Sequence, residues 1–463
     1  MIPTSARLDQ SAITALLDDD ALVQRYRTLF ACFDWSLVEA WQAQRTGPGR
    51  PAHPMSAYLK AFLLRINEGL RYTTDLRRFL LEHPLLVIEF GFHLVLDPHA
   101  LFGFDVERTL PCRSWLGHQL RHLDRDLLHA LLAATVTALQ AEIPGLGDTV
   151  AFDVKHIYAW VKENNPRAYV ADRYDKTRIP AGDPDCTLGV KRSSNQHGPD
   201  EPDAAAASPS ATASVTEAIT APREKKVQKE YLWGYGSGVA AATVPGYGDV
   251  VLAEFTQPFN ENDITYFRSL YEQSVIALNR FPTHVTADAA FDAWYVYECA
   301  ARHGGIGAVP LNGHGHPDTT RDRDAVPICQ KGLRMVSTLQ FTHPNGYRAQ
   351  RFCCPLLVPE ATGETCDHPQ FLKGIGCRKD PNWEAGGRMR VTLDRTGPLY
   401  QAIYQQRTSC ERINSQAKEL GIERPKVRNR QSVANLNTLI YMIINVRALG
   451  RAKSINKGLL QMS

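Results

Sequence analysis

The sequence TVAFDVKHI, residues 149–157, surrounds a single carboxylate, Asp153, with apolar and β-branched residues. This pattern is typical of a buried strand. A second stretch, FPTHVTADAAFD at residues 281–292, is also strand-like and carries Asp288. An ionised carboxylate among apolar neighbours must be paired, hydrogen-bonded or metal-bound. For either aspartate alone, a strand-end residue that caps the next turn is an equally good interpretation.

The segments around these two stretches predict further strands and helices. Residues 231–244 and 248–257 predict two more strands, and residues 305–312 predict a fifth. Residues 260–278 predict a helix opened by an Asn or Asp cap, and residues 293–302 predict another. Three neighbouring strands followed by strand–helix alternation indicate an α/β fold, a mixed sheet with helices on its faces.

The first 145 residues have helical patterning. Residues 55–70 carry apolar side chains at helical spacing, and Thr73 or Thr74 is expected to cap a second helix that ends before Pro84. Two short helices about a glycine-containing turn fit a helix-turn-helix, or equally two helices of an ordinary bundle. A third helix is expected over residues 115–142.

Two segments interrupt the sheet pattern. Residues 193–222 lack aromatic residues and are rich in Ala, Ser, Thr and Pro, so we expect a flexible insert. Residues 313–388 are rich in Gly, Pro and Cys and predict a partly β inserted subdomain. Helical patterning returns at residues 398–420 and 432–449. The predicted parts are a helical domain (1–145), a first core part (146–312), the inserted subdomain (313–388) and a C-terminal core part (389–455).

The composition excludes several classes of protein. With 44% hydrophobic and 22% charged residues among 463, the chain is not collagen-like or wholly disordered. The net charge is only +3, so a nucleic-acid partner would have to meet a local basic face. Residues 85–96 form the longest apolar stretch, which is too short to span a bilayer. The chain has no apolar leader pattern and no CxxC pair, so we expect a cytoplasmic protein without membrane contact.

One predicted helix carries four polar residues on a single face. Tyr404, Arg407, Glu411 and Lys418 are spaced so that, at about 100° per residue, all four project from one narrow side. Glu411 lies between an aromatic residue and two cations. A solvated charged face explains this pattern as well, since Arg407 and Glu411 form an i,i+4 pair.

Three carboxylates from two strands and a helix suit a hard cation. Mg²⁺ prefers oxygen ligands and keeps several waters. Two such ions, about 3.5–4 Å apart, would stabilise the attacking and leaving oxygens of an in-line phosphoryl displacement. Arg407 and Lys418 could then bind phosphates, the arginine through its planar fork, while Tyr404 could hydrogen-bond or stack.

The sequence resembles the DDE transposases of bacterial insertion sequences, in the branch with a Tyr-x2-Arg-x3-Glu-x6-Lys motif. Tyr404, Arg407, Glu411 and Lys418 match that spacing without a gap. AFDVKHI resembles the block around the family's first Asp. VTADAAFD resembles the second, although its Asp-Ala-Ala-Phe differs from the usual Asp-x-Gly-Tyr. Residues 49–80 resemble the helical domain that precedes such cores.

This resemblance implies an RNase H-like core in which Asp153, Asp288 and Glu411 are the catalytic residues and ligands of two Mg²⁺ ions, with Mn²⁺ as a substitute. It implies DNA contacts by Tyr404, Arg407 and Lys418. The implied reaction is water-dependent cutting at transposon ends, followed by attack of the freed 3′-hydroxyl on target DNA. The implied partners are double-stranded DNA, comprising terminal inverted repeats and target, and a second copy in a homodimer. A nucleoid-associated bacterial protein is expected.

Two alternatives remain at this point. One is a catalytically inactive relative that binds DNA through its helical N-terminus and basic C-terminus. Residues 404–430 support DNA contact in either case, with seven lysines and arginines against three glutamates. The other is an RNase H-like nuclease without transposon-end specificity.

Several further residues have two interpretations each. Lys155 and His156 either touch DNA or only flank a strand, and Trp383 either packs or stacks on an unpaired base. A cysteine cluster in the inserted subdomain suits zinc or, with its irregular spacing, buried reduced thiols. The cluster comprises Cys329, Cys353, Cys354, Cys366 and Cys377.

Overall fold

A computed structural model describes residues 10–45, 53–194, 227–312 and 320–462. It is a mixed α/β structure with a helical N-terminal region, which confirms the predicted class. The predicted flexible insert lies outside the described residues, apart from Ser193 and Ser194 at the end of a strand. No helix in the described ranges has both the length and the apolar character needed to cross a membrane.

Helices make up the described N-terminal region. They are α1 (Gln10–Asp19), α2 (Ala21–Phe30), α3 (Ser36–Ala43), α4 (Met55–Asn67), α5 (Thr73–Glu82), α6 (Pro84–Phe90), α7 (Val106–Thr109), α8 (Arg113–Arg121) and α9 (Arg125–Glu142). The third predicted helix is in fact two, because Asp124 caps α9 through the backbone N–H groups of Asp126 and Leu127. The expected threonine cap of α5 is wrong, since Thr73 is already helical and Tyr72 takes the cap position.

A six-stranded mixed sheet forms the core. Its strands are β1 (Thr149–Tyr158), β2 (Thr187–Ser194), β3 (Val227–Val244), β4 (Gly248–Pro258), β5 (His284–Ala287) and β6 (Gly307–Ala308). β3 pairs antiparallel with β1, β2 and β4, whereas β1, β5 and β6 run parallel. β2 has no counterpart in the sequence prediction, and β5 is shorter than predicted because the chain enters a 3-10 turn, Ala289–Phe291, directly after Asp288.

Helices cover both faces of this sheet, and the strand alternation assigns side chains to each. α10 (Ile264–Leu278) lies on one face, where the Phe267 ring is 4.9 Å from that of Phe152. α15 (Thr408–Glu419) and α16 (Arg430–Met462) pack on the other. Because neighbouring residues of a strand point to opposite faces, Asp153 points away from α10 and towards α15.

Helix α16 joins the N-terminal helices to the sheet. Its apolar residues share one buried core with α4, α8, α9 and the sheet. The buried Asn445 amide fixes the helix to β4, donating to the Val251 carbonyl oxygen at 2.8 Å and accepting from the Val251 N–H at 2.8 Å. A buried amide bonded on both sides keeps strand and helix in one register.

The segment after β6 contains a second, three-stranded sheet. It is built from β7 (Val336–Thr342), β8 (Arg348–Cys353) and β9 (Arg378–Lys379). The short helix α12 (Pro369–Leu372) lies between β8 and β9, and α13 (Ala385–Thr392) follows β9. α13 packs against α11 (Trp294–Ala301) of the core. The remaining helix, α14 (Pro398–Gln405), precedes α15.

Asp292 connects this segment to the core, although its place between a strand and the next helix would favour a helix-capping role. Its carboxylate is fully buried and accepts two bonds of 2.7 Å from the Arg390 guanidinium. It also accepts from the Tyr297 hydroxyl at 2.9 Å. Ala293 takes the cap position of α11 instead, without a side-chain capping hydrogen bond. The sequence hides this role because Arg390 lies 98 positions away.

Candidate active site

Asp153 and Asp288 lie side by side on two neighbouring strands, Asp153 in the middle of β1 and Asp288 directly after β5. β1 and β5 are parallel, with Phe152 opposite Ala287, so the two aspartates occupy the next position of each chain. Burial and the negative charge of Asp288 raise the pKa of Asp153 to about 6. Asp288 also caps the following turn, because Oδ1 accepts from the Ala290 N–H at 2.9 Å. Asp288 therefore both caps the turn and lies beside a second carboxylate, that of Asp153.

A third aspartate, Asp263, belongs to the same cluster and was not singled out in the sequence. Burial and the charge of Asp288 raise the pKa of Asp263 to about 6, and Asp263 in turn raises that of Asp153. The sequence suggested only a helix cap here. Asp263 does occupy the cap position of α10, but its side chain makes no capping hydrogen bond. We call Asp153, Asp263 and Asp288 the acid cluster.

Helix α15 is fixed against β1 on the side towards which Asp153 points. The Asn414 amide donates to Asp153 Oδ2 at 2.9 Å. Arg412 anchors the helix to β4 through two bonds of 2.7 Å to the buried carboxylate of Asp249. Cys410 is fully buried against β3. These contacts place the helix that carries Glu411 on the same face of the sheet as Asp153.

Glu411 itself is held by Arg407 in this structure. The guanidinium contacts Glu411 Oε1 at 2.6 Å, and the Glu411 side chain is 52% exposed. Burial opposes the charge of Arg407, but the nearby Glu411 and Asp153 more than compensate and raise its pKa. Arg407 is therefore within electrostatic reach of both Glu411 and Asp153.

These residues fit a divalent metal ion only in part. Within the described ranges, no three or more His, Cys, Asp or Glu side chains are arranged so that they could hold one metal ion. Two neighbouring aspartates nevertheless suit Mg²⁺, which proteins often hold through one or two carboxylates while water and substrate phosphates complete the shell. A bound cation would also relieve the mutual repulsion that raises the pKa values of Asp153 and Asp263.

Tyr404 and Lys418 lie at opposite ends of the predicted motif. The helix is interrupted at Gln406–Arg407, between α14 and α15, yet the Arg407 guanidinium remains 5.8 Å from the Tyr404 ring. Lys418 forms a 3.4 Å ion pair with Glu423 and its side chain is 63% exposed. Burial lowers the pKa of Lys155, and the positive charges of Lys418 and Lys191 lower it further. The end of α15 that carries Lys418 is therefore close to β1.

Trp383 and the cysteines of the cluster other than Cys353 lie in the small core of the second sheet. All ten cysteines are free thiols. Burial and the neighbouring Cys354 raise the pKa of Cys377 to about 11, so this thiol is protonated at neutral pH. The Trp383 ring lies 5.0 Å from that of Phe352, in agreement with the packing interpretation.

Comparison with protein-family models and with curated proteins gave no match. Functional assignment therefore depends on the motif spacing and on the geometry of the acid cluster and α15.

Proposed function

We propose that the protein is a DDE transposase with an RNase H-like core, which cuts DNA at transposon ends and joins the freed ends to target DNA. One observation carries the proposal. Asp153 and Asp288 are neighbours on parallel strands, and α15, which carries Glu411 and Lys418 and begins directly after Arg407, contacts Asp153 through Asn414. A solvated charged helix would have no reason to pack its polar face against the half-buried Asp153 carboxylate.

The site residues have distinct proposed roles. Asp153 and Asp288 would hold Mg²⁺, and Glu411 would join them once it releases Arg407. When bound, the ions supply charge neutralisation at the scissile phosphate and an activated water. Arg407, released from Glu411, can direct its planar fork at the non-bridging phosphate oxygens. Asn414 keeps Asp153 oriented through its amide.

Two displacements at phosphorus make up the proposed reaction. In the first, a water oxygen forms a bond to phosphorus and the bond to the 3′-oxygen breaks, which leaves a 3′-hydroxyl on the transposon end. In the second, that hydroxyl loses its proton and attacks a target phosphate, and the target's own 3′-oxygen leaves. Positioning and electrostatic stabilisation are the protein's main contributions to such phosphoryl transfers.

Cleavage of labelled duplex DNA that carries the inverted repeats flanking the gene tests the proposal. Asp153→Asn, Asp288→Asn and Glu411→Gln should each abolish Mg²⁺-dependent cutting and leave DNA binding intact. Glu419→Gln is the matched control, since this exposed residue lies on the same helix. Full cutting by Glu411→Gln would remove that residue from the site. Equal cutting of DNA without the repeats would favour a general nuclease, and binding without any product an inactive relative.

A further inference from the structure

A basic cleft lies between the N-terminal helices and the far end of β1. Three adjoining depressions, of about 370, 360 and 450 Å³, meet along the loop that follows α15. The Tyr158 N–H donates to the Glu423 carbonyl oxygen at 2.9 Å and holds this loop beside the strand end. The residues that define the basic cleft are Arg71, Tyr158, Trp160, Arg424, Lys426 and Arg428.

Aromatic rings hold the cations of the basic cleft in place. The Arg424 guanidinium lies 4.4 Å from the centre of the Tyr158 ring. Arg428 and Lys426 both lie over Trp160, at 4.8 and 5.5 Å. Trp160 is 37% exposed, an unusual position for a tryptophan that serves only packing. Cation–π contacts of this kind order long side chains without neutralising their charge.

Carboxylates compensate the charges of the cleft only in part: Glu419 and Glu423 line the first depression, and among the described residues no carboxylate lines the other two. In the described part of the chain, none of Arg71, Arg424, Lys426 and Arg428 forms an ion pair, whereas Lys418 at the cleft edge pairs with Glu423. Burial lowers the pKa of Lys426, and the positive charges of Arg71 and Arg424 lower it further. Cations packed against one another in this way favour a polyanion as the missing partner.

We propose that the basic cleft binds the phosphate backbone of the DNA that leads away from the cut site. Tyr158 is five positions beyond Asp153 on β1, which corresponds to about 17 Å at about 3.3 Å per residue. Phosphates of one DNA strand follow every 3.4 Å or so of helix axis. The cleft would therefore contact phosphates about five or more nucleotides from the scissile bond. This assignment of direction rests on the proposed function.

Salt-dependent DNA binding without divalent ions tests the cleft. The triple variant Arg424→Gln, Lys426→Gln, Arg428→Gln should make the slope of log affinity against log salt shallower by about 2.7, at about 0.9 for each lost phosphate contact. Between about 50 and 200 mM salt, wild-type affinity should then fall about 40-fold more than that of the variant. Fluorescence anisotropy with a labelled end duplex measures both.

A second triple variant is the matched control. Arg451→Gln, Lys453→Gln, Lys457→Gln removes the same charge from exposed positions of α16, about 30 Å along the helix from Arg430 at about 1.5 Å per residue. Its salt slope should equal that of the wild type. Equal slope changes in both triple variants would overturn the proposal. The proposal would also be overturned if the cleft variant still changed the salt slope on a shortened duplex that extends fewer than about five base pairs from the cleavage site.

Trp160 provides an independent test as a positioning residue. Trp160→Ala keeps every cation, yet should weaken DNA binding several-fold because Lys426 and Arg428 lose their support, and Trp160→Phe should restore most of the affinity. Equal weakening by both variants, or by neither, would remove Trp160 from this role. None of these measurements involves cleavage, so a failed cleft leaves the transposase proposal standing, and a failed cleavage assay leaves the DNA-binding cleft standing.

Discussion

Asp153→Asn is expected to stabilise the protein while it destroys the proposed activity. The carboxyl pKa of Asp153 is raised from 3.8 to about 6. Two pKa units correspond to about 3 kcal/mol, and solvent screening of this half-buried group reduces the expected gain to about 1–2 kcal/mol. Asparagine retains an oxygen that can accept from Asn414, so the contact with α15 survives.

The gain should depend on pH in a defined direction. Between about pH 4 and 6 the native state holds more protons than the unfolded state, so wild-type stability falls as pH rises through this window. Above it, the full cost of ionising Asp153 is present. The variant cannot ionise at this position. Its advantage should therefore be largest above pH 6 and should vanish near pH 4.

Urea unfolding at pH 4.5 and pH 7.5, followed by tryptophan fluorescence, measures this difference. Asp367→Asn is the control, because that aspartate is exposed and lies outside the acid cluster. It should change the free energy of unfolding by less than about 0.5 kcal/mol at either pH. A variant at position 153 that is no more stable than the wild type at pH 7.5 would refute the reasoning.

Three further predictions follow from other contacts. Asp292→Ala should lower the free energy of unfolding by about 3–5 kcal/mol, because Arg390 loses its buried partner. Urea unfolding measures this loss, and a loss below about 1 kcal/mol would contradict the buried ion pair. Asn445→Ala should lower the free energy of unfolding by about 2–4 kcal/mol, because it leaves the backbone groups of Val251 unpaired. Amide hydrogen exchange in β4 should become faster, and unchanged exchange would count against the contact between Asn445 and Val251. Mg²⁺ should raise the Tm of the wild type but not of Asp288→Asn; equal shifts would place the ion elsewhere.

The sequence predicts those parts of the fold where one physical signal dominates. β1 and Asp153 follow from apolar and β-branched residues around one acid. Asp263 is missed because a polar residue after a strand is indistinguishable from a helix cap, and its proximity to Asp288 arises only from tertiary packing. The break at Gln406–Arg407 carries no Gly or Pro to announce it.

The sequence singles out candidate site residues, and their role stays a prediction; it does not show which of them contact one another. The i,i+4 spacing anticipated the Arg407–Glu411 contact. It could not show that Arg407 also lies within electrostatic reach of Asp153, because that depends on how α15 packs on the sheet. The extension of α16 to Met462 was likewise hidden, since residues after 449 lack a continuous apolar stripe.

Localised oxidative cleavage of the backbone tests whether Asp153, Asp288 and Glu411 share one metal site. Full-length protein bound to an end duplex is loaded with Fe²⁺ in place of Mg²⁺ and treated with peroxide and ascorbate, and the fragments are mapped by mass spectrometry. Cuts close to residues 153, 288 and 411, all suppressed by excess Mg²⁺, are the predicted result. Cuts near 153 and 288 without any near 411, or cuts that Mg²⁺ does not suppress, would contradict a shared site.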